Sequence, residues 1–232
     1  MIKRIIALAL LIGVGLIFTT LMVTYEPDAN LNLTARYYAE HTASDVGSAN
    51  IVTAIVVTYR GLDTLGEVTV LFLASSIIGL VLSLGKKQNK TLRNLVPVGE
   101  LLTTGNLYLA PIIMLLGVYV FVNGHLTPGG GFQGGAIIAS SMLLLLLADP
   151  LKQFSHTLIS LVESLSGFVY VALGVLGIVL AGSFLDNRIL PLGHFGDLIS
   201  AGAIPLIYSL IGLKVGAEFS SMLANLSEME DL

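Results

Sequence analysis

Residues 107–148 read "LYLAPIIMLLGVYVFVNGHLTPGGGFQGGAIIASSMLLLLLA", in which two uncharged apolar runs flank a glycine-rich turn. A helix needs about 17–25 apolar residues to cross the hydrocarbon core of a bilayer. Each run reaches that length, and Pro128 lies between them. Because a proline ring cannot continue the hydrogen-bonding of a helix, Pro128 ends one element. The stretch therefore predicts two membrane helices joined by a tight turn.

The composition of the whole chain extends this prediction. The 232 residues are 55% hydrophobic and 11% charged, with a mean hydropathy of +0.89. A soluble domain carries about 25% charged residues, so this composition indicates a polytopic membrane protein. The chain has no cysteine, which excludes disulfides, thiolate-held iron–sulfur clusters and cysteine nucleophiles. Its net charge of −4 offers no basic face, so we expect no nucleic-acid partner.

The apolar runs predict an all-α fold with six transmembrane helices. Their predicted ranges are 4–24, 63–84, 107–123, 132–148, 157–184 and 197–220. The first run begins with Lys3 and Arg4 and is longer than the apolar stretch of about 7–15 residues in a signal peptide. We therefore expect an uncleaved helix there. Residues 49–59 are too short to span, which predicts a short helix at the membrane interface or within the protein.

One clear linker, "GKKQNKTLRNLVPVGE" at 85–100, divides the sequence. It predicts a two-helix unit over 1–90 and a four-helix unit over 91–232. Lysines and arginines concentrate in the cytoplasmic loops of membrane proteins. If all six runs span, most of these residues share one side: Lys3, Arg4, Lys86, Lys87, Lys90, Arg93 and Lys152. This distribution predicts that both termini are cytoplasmic.

The glycines of the turn match a dinucleotide-binding fingerprint, G-x-G-x-x-G, at Gly129, Gly131 and Gly134. Such a site requires a strand before the glycines, within a βαβ unit. A predicted membrane helix precedes them here, and Ala136 stands where a P-loop would place its lysine. The sequence therefore argues against a nucleotide site.

Close helix packing is the simpler explanation of these glycines. Two pairs lie four residues apart, Gly130 with Gly134 and Gly131 with Gly135. This spacing lets membrane helices approach closely. It does not account for His125 and Gln133, which predict a polar pocket at this edge of the membrane.

Charged residues within the predicted spans are the candidates for ion transfer, because each costs about 2.5–3.5 kcal/mol to insert. Glu67 lies deeper in the second span than Asp63, four residues before it on the same helical face. A carboxyl group in an apolar wall can bind and release a proton near neutral pH, which makes Glu67 a candidate. Arg60, three residues before Asp63, predicts a local ion pair at the end of this helix.

His156 and Glu163 lie seven residues apart on one face of the fifth span, and Tyr170 continues that face. A histidine and a glutamate along one helix can form a proton relay. The alternative is that His156 is an interfacial residue and that Glu163 only bonds a neighbouring helix. We interpret Glu163 as a relay group and His156 as interfacial, while keeping both as candidates for the ion path.

Lys214 and Glu218, four residues apart in the last span, predict an ion pair whose lysine charge responds to a passing proton. The alternative places both at the cytoplasmic edge, where the lysine would reach water. Only 16 uncharged residues, 198–213, precede Lys214, which favours that alternative. Pro205 predicts an interruption of the helix that admits water beside it.

No pattern of residues supports a metal site or a catalytic site. The four histidines lie in separate segments without the spacing of metal ligands, and the many serines lie in apolar helices. We therefore expect no metal, no cofactor and no enzymatic activity of the chain on its own.

Three stretches resemble the B subunit of Mrp-type multisubunit cation/proton antiporters, the MnhB family. They read "GHLTPGGGFQGGAIIASS" (124–141), "SLVESLSGFVYVALG" (160–174) and "IPLIYSLIGLKVGAEFS" (204–220), within about 95–225. A fourth, "NIVTAIVVTYRGLDTLGEVTVLFLA" (50–74), resembles the C-terminal end of the Mrp A subunit, and also a small membrane subunit of membrane-bound hydrogenases. These two pieces usually belong to separate chains.

The resemblance implies a multi-pass subunit of a prokaryotic cell membrane that takes part in Na⁺/H⁺ exchange. Its partners would be the other membrane subunits of the antiporter, the lipid bilayer, and Na⁺ and H⁺ as transported ions. One alternative is a membrane-arm subunit of a membrane-bound hydrogenase or a related respiratory oxidoreductase. A second is a structural spacer between larger ion-pumping subunits, in which the charged residues only hold helices together.

Overall fold

The computed structural model describes residues 2–25, 30–85, 98–149 and 154–230, and these form helices and loops without a strand. The helices are α1 (Ile2–Thr24), α2 (Leu33–His41), α3 (Ile51–Thr53), α4 (Gly61–Gly85), α5 (Glu100–Val122), α6 (Gly131–Ala148), α7 (His156–Ala181) and α8 (Ile204–Glu230). All except α2 and α3 are long and apolar enough to cross a membrane. The predicted all-α fold with six spans is confirmed. The predicted linker and Lys152 fall largely or wholly outside the described residues.

Two of the spans begin seven residues away from their predicted starts, whereas the other four begin within two residues of them. The third span starts at Glu100 rather than at 107, because the polar residues before 107 fit a helix. The Thr103 hydroxyl, for example, donates to the Glu100 carbonyl at 3.0 Å within the first turn. A threonine satisfied in this way can enter a membrane helix without an unpaired hydroxyl.

The last span begins at Ile204 rather than at 197, and the interpretation of Pro205 as an interruption is wrong. Ala201 and Gly202 both have φ of 60°, which a right-handed helix does not allow. Pro205 is then the second residue of α8. In the first turn of a helix the backbone N–H has no helical partner, so proline removes no hydrogen bond there.

The structure divides into two compact units, residues 1–37 and 38–232. The smaller unit contains α1 and the start of α2, where Asn32 Oδ1 accepts from the backbone N–H of Ala35 at 2.8 Å. Three threonine hydroxyls of α1 donate to carbonyls four residues earlier at 2.7–2.8 Å: Thr19, Thr20 and Thr24. These bonds leave α1 without an unpaired threonine donor, as a membrane helix requires.

In the larger unit, α8 lies at the centre and packs against α4, α5, α6 and α7. Its inward face carries Ile204, Ile207, Ile211 and Val215, all at most 1% exposed. Their spacing of three and four residues places them along one stripe of the helix. Every group that α8 carries on that stripe is therefore enclosed by protein.

The short helical segment predicted at 49–59 lies within the protein. It consists of α3 followed by a π-helical turn, Ala54–Tyr59, and both Ala54 and Val57 are 0% exposed. Thr53 donates its hydroxyl to the Gly124 carbonyl at 2.6 Å. The segment is thereby fixed to the turn between α5 and α6.

Candidate ion-transfer site

A buried ion pair on α8 forms the centre of the candidate site. Lys214 Nζ lies 2.7 Å from Glu218 Oε1, and the two residues are 8% and 0% exposed. Their four-residue spacing places them on one helical face. Lys214 is ten residues from the start of α8, or about 15 Å at the rise of a helix. The pair therefore lies near the middle of α8 and is enclosed by the chain, which supports the buried ion pair over the alternative at the membrane edge.

Two neighbouring helices enclose the lysine. Its ammonium lies 4.9 Å from the centroid of the Phe72 ring of α4, a cation–π contact. A Cβ on Gly167 of α7 would stand 3.5 Å from Lys214 Nζ, so the lysine lies along the bare backbone of that glycine. The charge on α8 is thus stabilised by a ring from α4 and accommodated by a glycine of α7.

One carboxylate oxygen of Glu218 accepts no hydrogen bond from the described residues. Its Oε1 accepts from Lys214, whereas Oε2 is buried and has no hydrogen-bond partner among the described residues. A buried acceptor without a partner costs about 1–3 kcal/mol, and more when it is charged. Oε2 is therefore a position at which a proton would relieve an unfavourable charge.

A cavity of about 300 Å³ lies between α4, α7 and α8 and adjoins the ion pair. Glu163, Tyr170 and Lys214 all line it, so the predicted shared face of Glu163 and Tyr170 points into one space. Tyr170 is 1% exposed and its hydroxyl has no partner among the described residues. Glu163, which is half-buried, acts electrostatically on Glu218. The structure thus brings both glutamates and the lysine into one cluster, the Lys214 cluster.

Glu67 does not join this cluster. Its side chain is exposed on the chain, so its predicted part in proton transfer stays a prediction. Thr64, three residues before it, and Val68, directly after it, are each only 3% exposed. The buried face of α4 therefore carries Thr64 and Val68, and Glu67 lies to one side of that face. The predicted ion pair of Arg60 with Asp63 is confirmed, and both side chains are more than half exposed.

His156 also lies away from the cluster. It is the first residue of α7 and is exposed, while Ser155 Oγ caps the helix by accepting from the Leu158 N–H at 3.2 Å. The residues lining the cavity include Glu163 but not His156. Its position at the end of a span fits the interfacial interpretation.

His125 and Gln133 differ in exposure, and the polar pocket that the sequence predicts around them stays a prediction. His125 is 0% exposed, with Nε2 at 3.3 Å from the Asp197 carbonyl, whereas Gln133 is exposed. Burial lowers the pKa of His125, because the imidazolium form loses its hydration. The carbonyl of His125 accepts from Ser48 Oγ at 2.9 Å, so this residue joins the turn to the segment before α3.

The glycines of the turn lie at close contacts between helices. A Cβ on Gly131 would stand 2.5 Å from Ile211 Cγ2, and one on Gly135 would stand 2.7 Å from Val215 Cβ. A Cβ on Gly134 would stand 2.6 Å from a carbonyl of α5. Gly131 and Gly135 thus let α6 approach α8, and Gly134 lets it approach α5. Gly129 has φ of 149°, a conformation that favours glycine.

Sequence reasoning missed Phe72 and Gly167. Both occur in apolar runs, and neither residue type marks a functional position by itself. Their roles follow only from the rotation of α4 and α7 about their axes. A fold that sets a buried lysine against an aromatic ring, two carboxylates and a cavity, among helices that span a membrane, defines an integral membrane protein with an internal ionisable cluster.

Comparison with known families agrees with this class. Residues 101–221 match the family model of a domain related to the MnhB subunit of Na⁺/H⁺ antiporters, and residues 2–88 match that of the E subunit of MBH. The chain belongs to the MnhB family. It is a multi-pass protein of the cell membrane.

Relatives occur in archaea and bacteria. An uncharacterized protein of Methanocaldococcus jannaschii is 33% identical over 198 residues, which cover 74% of each chain. The B subunit of a Na⁺/H⁺ antiporter of Bacillus subtilis is 46% identical over 83 residues, or 35% of this chain and 54% of that protein. The A/B subunit of a probable K⁺/H⁺ antiporter of Rhizobium meliloti is 29% identical over 61% of this chain and 16% of that protein. The chain thus spans about half of the Bacillus protein but only a small part of the Rhizobium protein.

Two solved structures contain a similar chain. One is the membrane-bound sulfane sulfur reductase, an archaeal respiratory membrane complex, with a TM-score of 0.80 and 38% identity over 97% of this chain and 98% of that chain. The other is the Mrp complex from Dietzia sp., with a TM-score of 0.75 and 25% identity over 97% of this chain and 26% of that chain. Both are multisubunit membrane complexes.

Proposed function

We propose that the chain is a membrane subunit of a multisubunit Na⁺/H⁺ antiporter module and that the Lys214 cluster moves protons within it. Its family and its relatives among antiporter subunits support the first part. The buried Lys214–Glu218 pair beside a cavity is the observation that carries the second part. The other subunits of such a module are the partners, and Na⁺ and H⁺ are the transported ions.

The charge of the cluster supports proton exchange. With all groups ionised, one lysine and two glutamates sum to +1 − 2 = −1. Burying an uncompensated charge is costly, so a single proton brings the cluster to a more favourable neutral state. Glu163 lines the cavity and can receive this proton, while no described residue donates a hydrogen bond to Glu218 Oε2. A proton therefore moves between the two carboxyl groups, and the charge of Lys214 responds to it.

Glu67 takes part at the surface of the chain in this proposal. An exposed carboxylate within a membrane span would cost about 2.5–3.5 kcal/mol against lipid. We infer that a neighbouring subunit covers this side of α4 and offers Glu67 a polar or cationic partner. Glu67 then transfers protons between the Lys214 cluster and that subunit, with Asp63 held by Arg60 nearer the end of the helix.

The proposal also includes the division of the sequence into a two-helix unit, 1–90, and a four-helix unit, 91–232. The two family matches end at 88 and begin at 101, on either side of the predicted boundary at 90/91. We propose that the chain joins a segment related to the E subunit of MBH to an MnhB-like unit. Because the two units belong to one chain, each surface around Glu67 would be accompanied by one Lys214 cluster in the complex.

A redox-driven complex is the second candidate host. This chain covers 98% of a chain in the sulfane sulfur reductase complex, compared with 54% of the Bacillus antiporter protein. In such a complex other subunits would perform the redox chemistry, and this chain would still transfer ions rather than catalyse. The structural spacer is the remaining alternative.

Purification of the intact complex through a tag on this chain tests the proposal. After reconstitution into vesicles, a Na⁺ gradient should drive proton movement, measured with a pH-sensitive dye. If iron and a redox activity co-purify and ion movement requires electron transfer, the second candidate is correct. If neither a Na⁺ gradient nor electron transfer moves protons, the proposed function fails.

A further inference from the structure

The glycine-rich turn between α5 and α6 receives the ring of Tyr208 from α8. A Cβ on Gly124 would stand 2.5 Å from Tyr208 Cδ2, and one on Gly130 would stand 3.0 Å from Tyr208 Cζ. Glycine therefore leaves room for the ring at both positions, which together form the Tyr208 seat. Tyr208 is only 6% exposed. The proton transfer proposed for the Lys214 cluster makes no use of this seat.

The hydroxyl of Tyr208 belongs to a chain of hydrogen bonds that ends in the turn. It donates to Thr53 Oγ1 at 3.2 Å, and the Thr53 hydroxyl donates to the Gly124 carbonyl at 2.6 Å. Asn50 Nδ2 donates to the same carbonyl at 2.9 Å. Because a carbonyl oxygen has two lone pairs, these two bonds use its accepting capacity. The carbonyl carries no proton to pass on, so the chain cannot work as a relay.

The half of α8 that precedes Lys214 contains one further polar side chain. Residues 204–213 read "IPLIYSLIGL", in which only Tyr208 and Ser209 have polar side chains. The Ser209 hydroxyl donates to the Pro205 carbonyl of the same helix at 2.7 Å. Both hydroxyl hydrogens are therefore committed to bonds that lead away from Lys214.

Apolar side chains fill the space between Lys214 and the start of α8. Ile207 lies seven residues before Lys214, or two turns along the same face, and Ile211 lies within one turn of it. These isoleucines are 0% and 1% exposed. Apolar interiors of this kind stay dry, whereas a proton needs water or ionisable groups to move. The cavity at Lys214 lies instead between α4, α7 and α8.

We propose that Tyr208 is a plug that closes the Lys214 cluster to protons from the side of the membrane on which α8 begins. Protons reach the cluster through the cavity between α4, α7 and α8 instead. This inference rests on the function proposed for the cluster and adds a requirement to it, because ion exchange stays coupled only while the ring fills its seat. Gly124 and Gly130 serve that requirement.

Passive proton leak across vesicles tests this inference. The purified intact complex is reconstituted without Na⁺, the potential is clamped with K⁺ and valinomycin, and an internal dye follows a step in external pH. Tyr208→Ala empties the seat and should raise the leak by about tenfold or more, because water in the vacated space lowers the barrier. Tyr208→Phe keeps the ring and should stay as tight as the wild type. Tyr119→Ala, the same change at an exposed tyrosine of α5, should also stay tight.

Adding Glu163→Gln to Tyr208→Ala should return the leak to the wild-type level, because the leak crosses the Lys214 cluster. A leak that persists in this double variant would overturn the inference, and so would an assembled Tyr208→Ala complex as tight as the wild type. If Tyr208→Ala prevents assembly, Tyr208→Leu fills only part of the seat and carries the test. Exchange driven by Na⁺ in wild-type vesicles tests the proposed function separately, since the leak needs no Na⁺.

Discussion

Lys214 stabilises Glu218, and this dependence can be measured. Lys214→Met would leave a fully buried carboxylate without its cation, and breaking a buried pair in this way costs about 3–5 kcal/mol. We expect a strong loss of this chain from the purified complex. The double variant Lys214→Met with Glu218→Gln removes both charges and should recover much of the assembly, but not proton transfer.

Complex abundance and vesicle transport, measured side by side, check this expectation. Normal assembly of the single Lys214→Met variant would contradict the buried pairing. Recovery of full transport in the double variant would show that the pair only holds helices together, as the structural spacer alternative requires.

His125 predicts a pH dependence of stability. Burial lowers its pKa in the folded state below the value of 6.5 that it has when unfolded. As the pH falls below about 6.5, the unfolded chain takes up a proton that the folded chain does not. The contribution of His125 to the free energy of unfolding is therefore fully present above that pH. It decreases below that pH by at most about 1.4 kcal/mol per pH unit.

Thermal unfolding of the detergent-solubilised complex at a series of pH values measures this effect. His125→Asn should flatten the decrease on the acid side, even if it lowers stability overall. His194→Asn alters an exposed histidine and serves as the control. An unchanged acid dependence in His125→Asn would contradict the account of this residue.

At the scale of helices, the glycines of α6 predict an effect on assembly. Gly131→Ala would place a Cβ 2.5 Å from Ile211 Cγ2 and force α6 away from α8. Such overpacking typically costs about 1–3 kcal/mol. Gly105→Ala in α5 is the matched control, because a Cβ there meets no atom within 4 Å.

The abundance of the chain in purified complex should fall for Gly131→Ala and not for Gly105→Ala. The Na⁺ concentration for half-maximal exchange should stay the same in the complex that does assemble. If Gly131→Ala assembles normally but fails in transport, the glycines serve the ion path and the packing account is wrong.

The existence of the helices could be predicted from sequence, because apolar length alone specifies a membrane span. Their ends could not. The first turn of α5 was missed because Thr103 is polar, although its hydroxyl is satisfied by a carbonyl of the same turn. The loop before Ile204 was taken for helix because its residues are apolar. That loop depends on φ of 60° at Ala201, a conformation that alanine rarely adopts and that hydropathy does not encode.

At the scale of the whole molecule, the sequence predicts a topology with both termini and the linker in the cytoplasm. The chain has no cysteine of its own, so any labelling of this chain comes from the cysteine introduced, singly, at Asn32 or Asn89. An impermeant thiol reagent added to intact cells should label the cysteine at Asn32 and not the one at Asn89. Equal labelling would contradict the six-span topology.

The candidate site could be predicted only in part, and the reason lies in the whole assembly of helices. Spacing along a single helix correctly paired Lys214 with Glu218 and aligned Glu163 with Tyr170. Spacing cannot specify which way a helix with apolar residues on every side is rotated. That is why the sequence could not show that Glu67 is exposed on the chain or that Phe72 contacts Lys214.

Proton movement driven by Na⁺ in vesicles that contain the whole complex tests the central claim most directly. Glu163→Gln keeps the size and polarity of the side chain but removes its titration, so we expect normal abundance with exchange reduced at least about tenfold. Glu163→Asp should retain partial exchange, and Glu100→Gln, the same change at an exposed carboxylate outside the cluster, should behave like the wild type. Wild-type exchange by Glu163→Gln, at normal abundance and across a range of pH, would contradict the account and make this carboxylate structural.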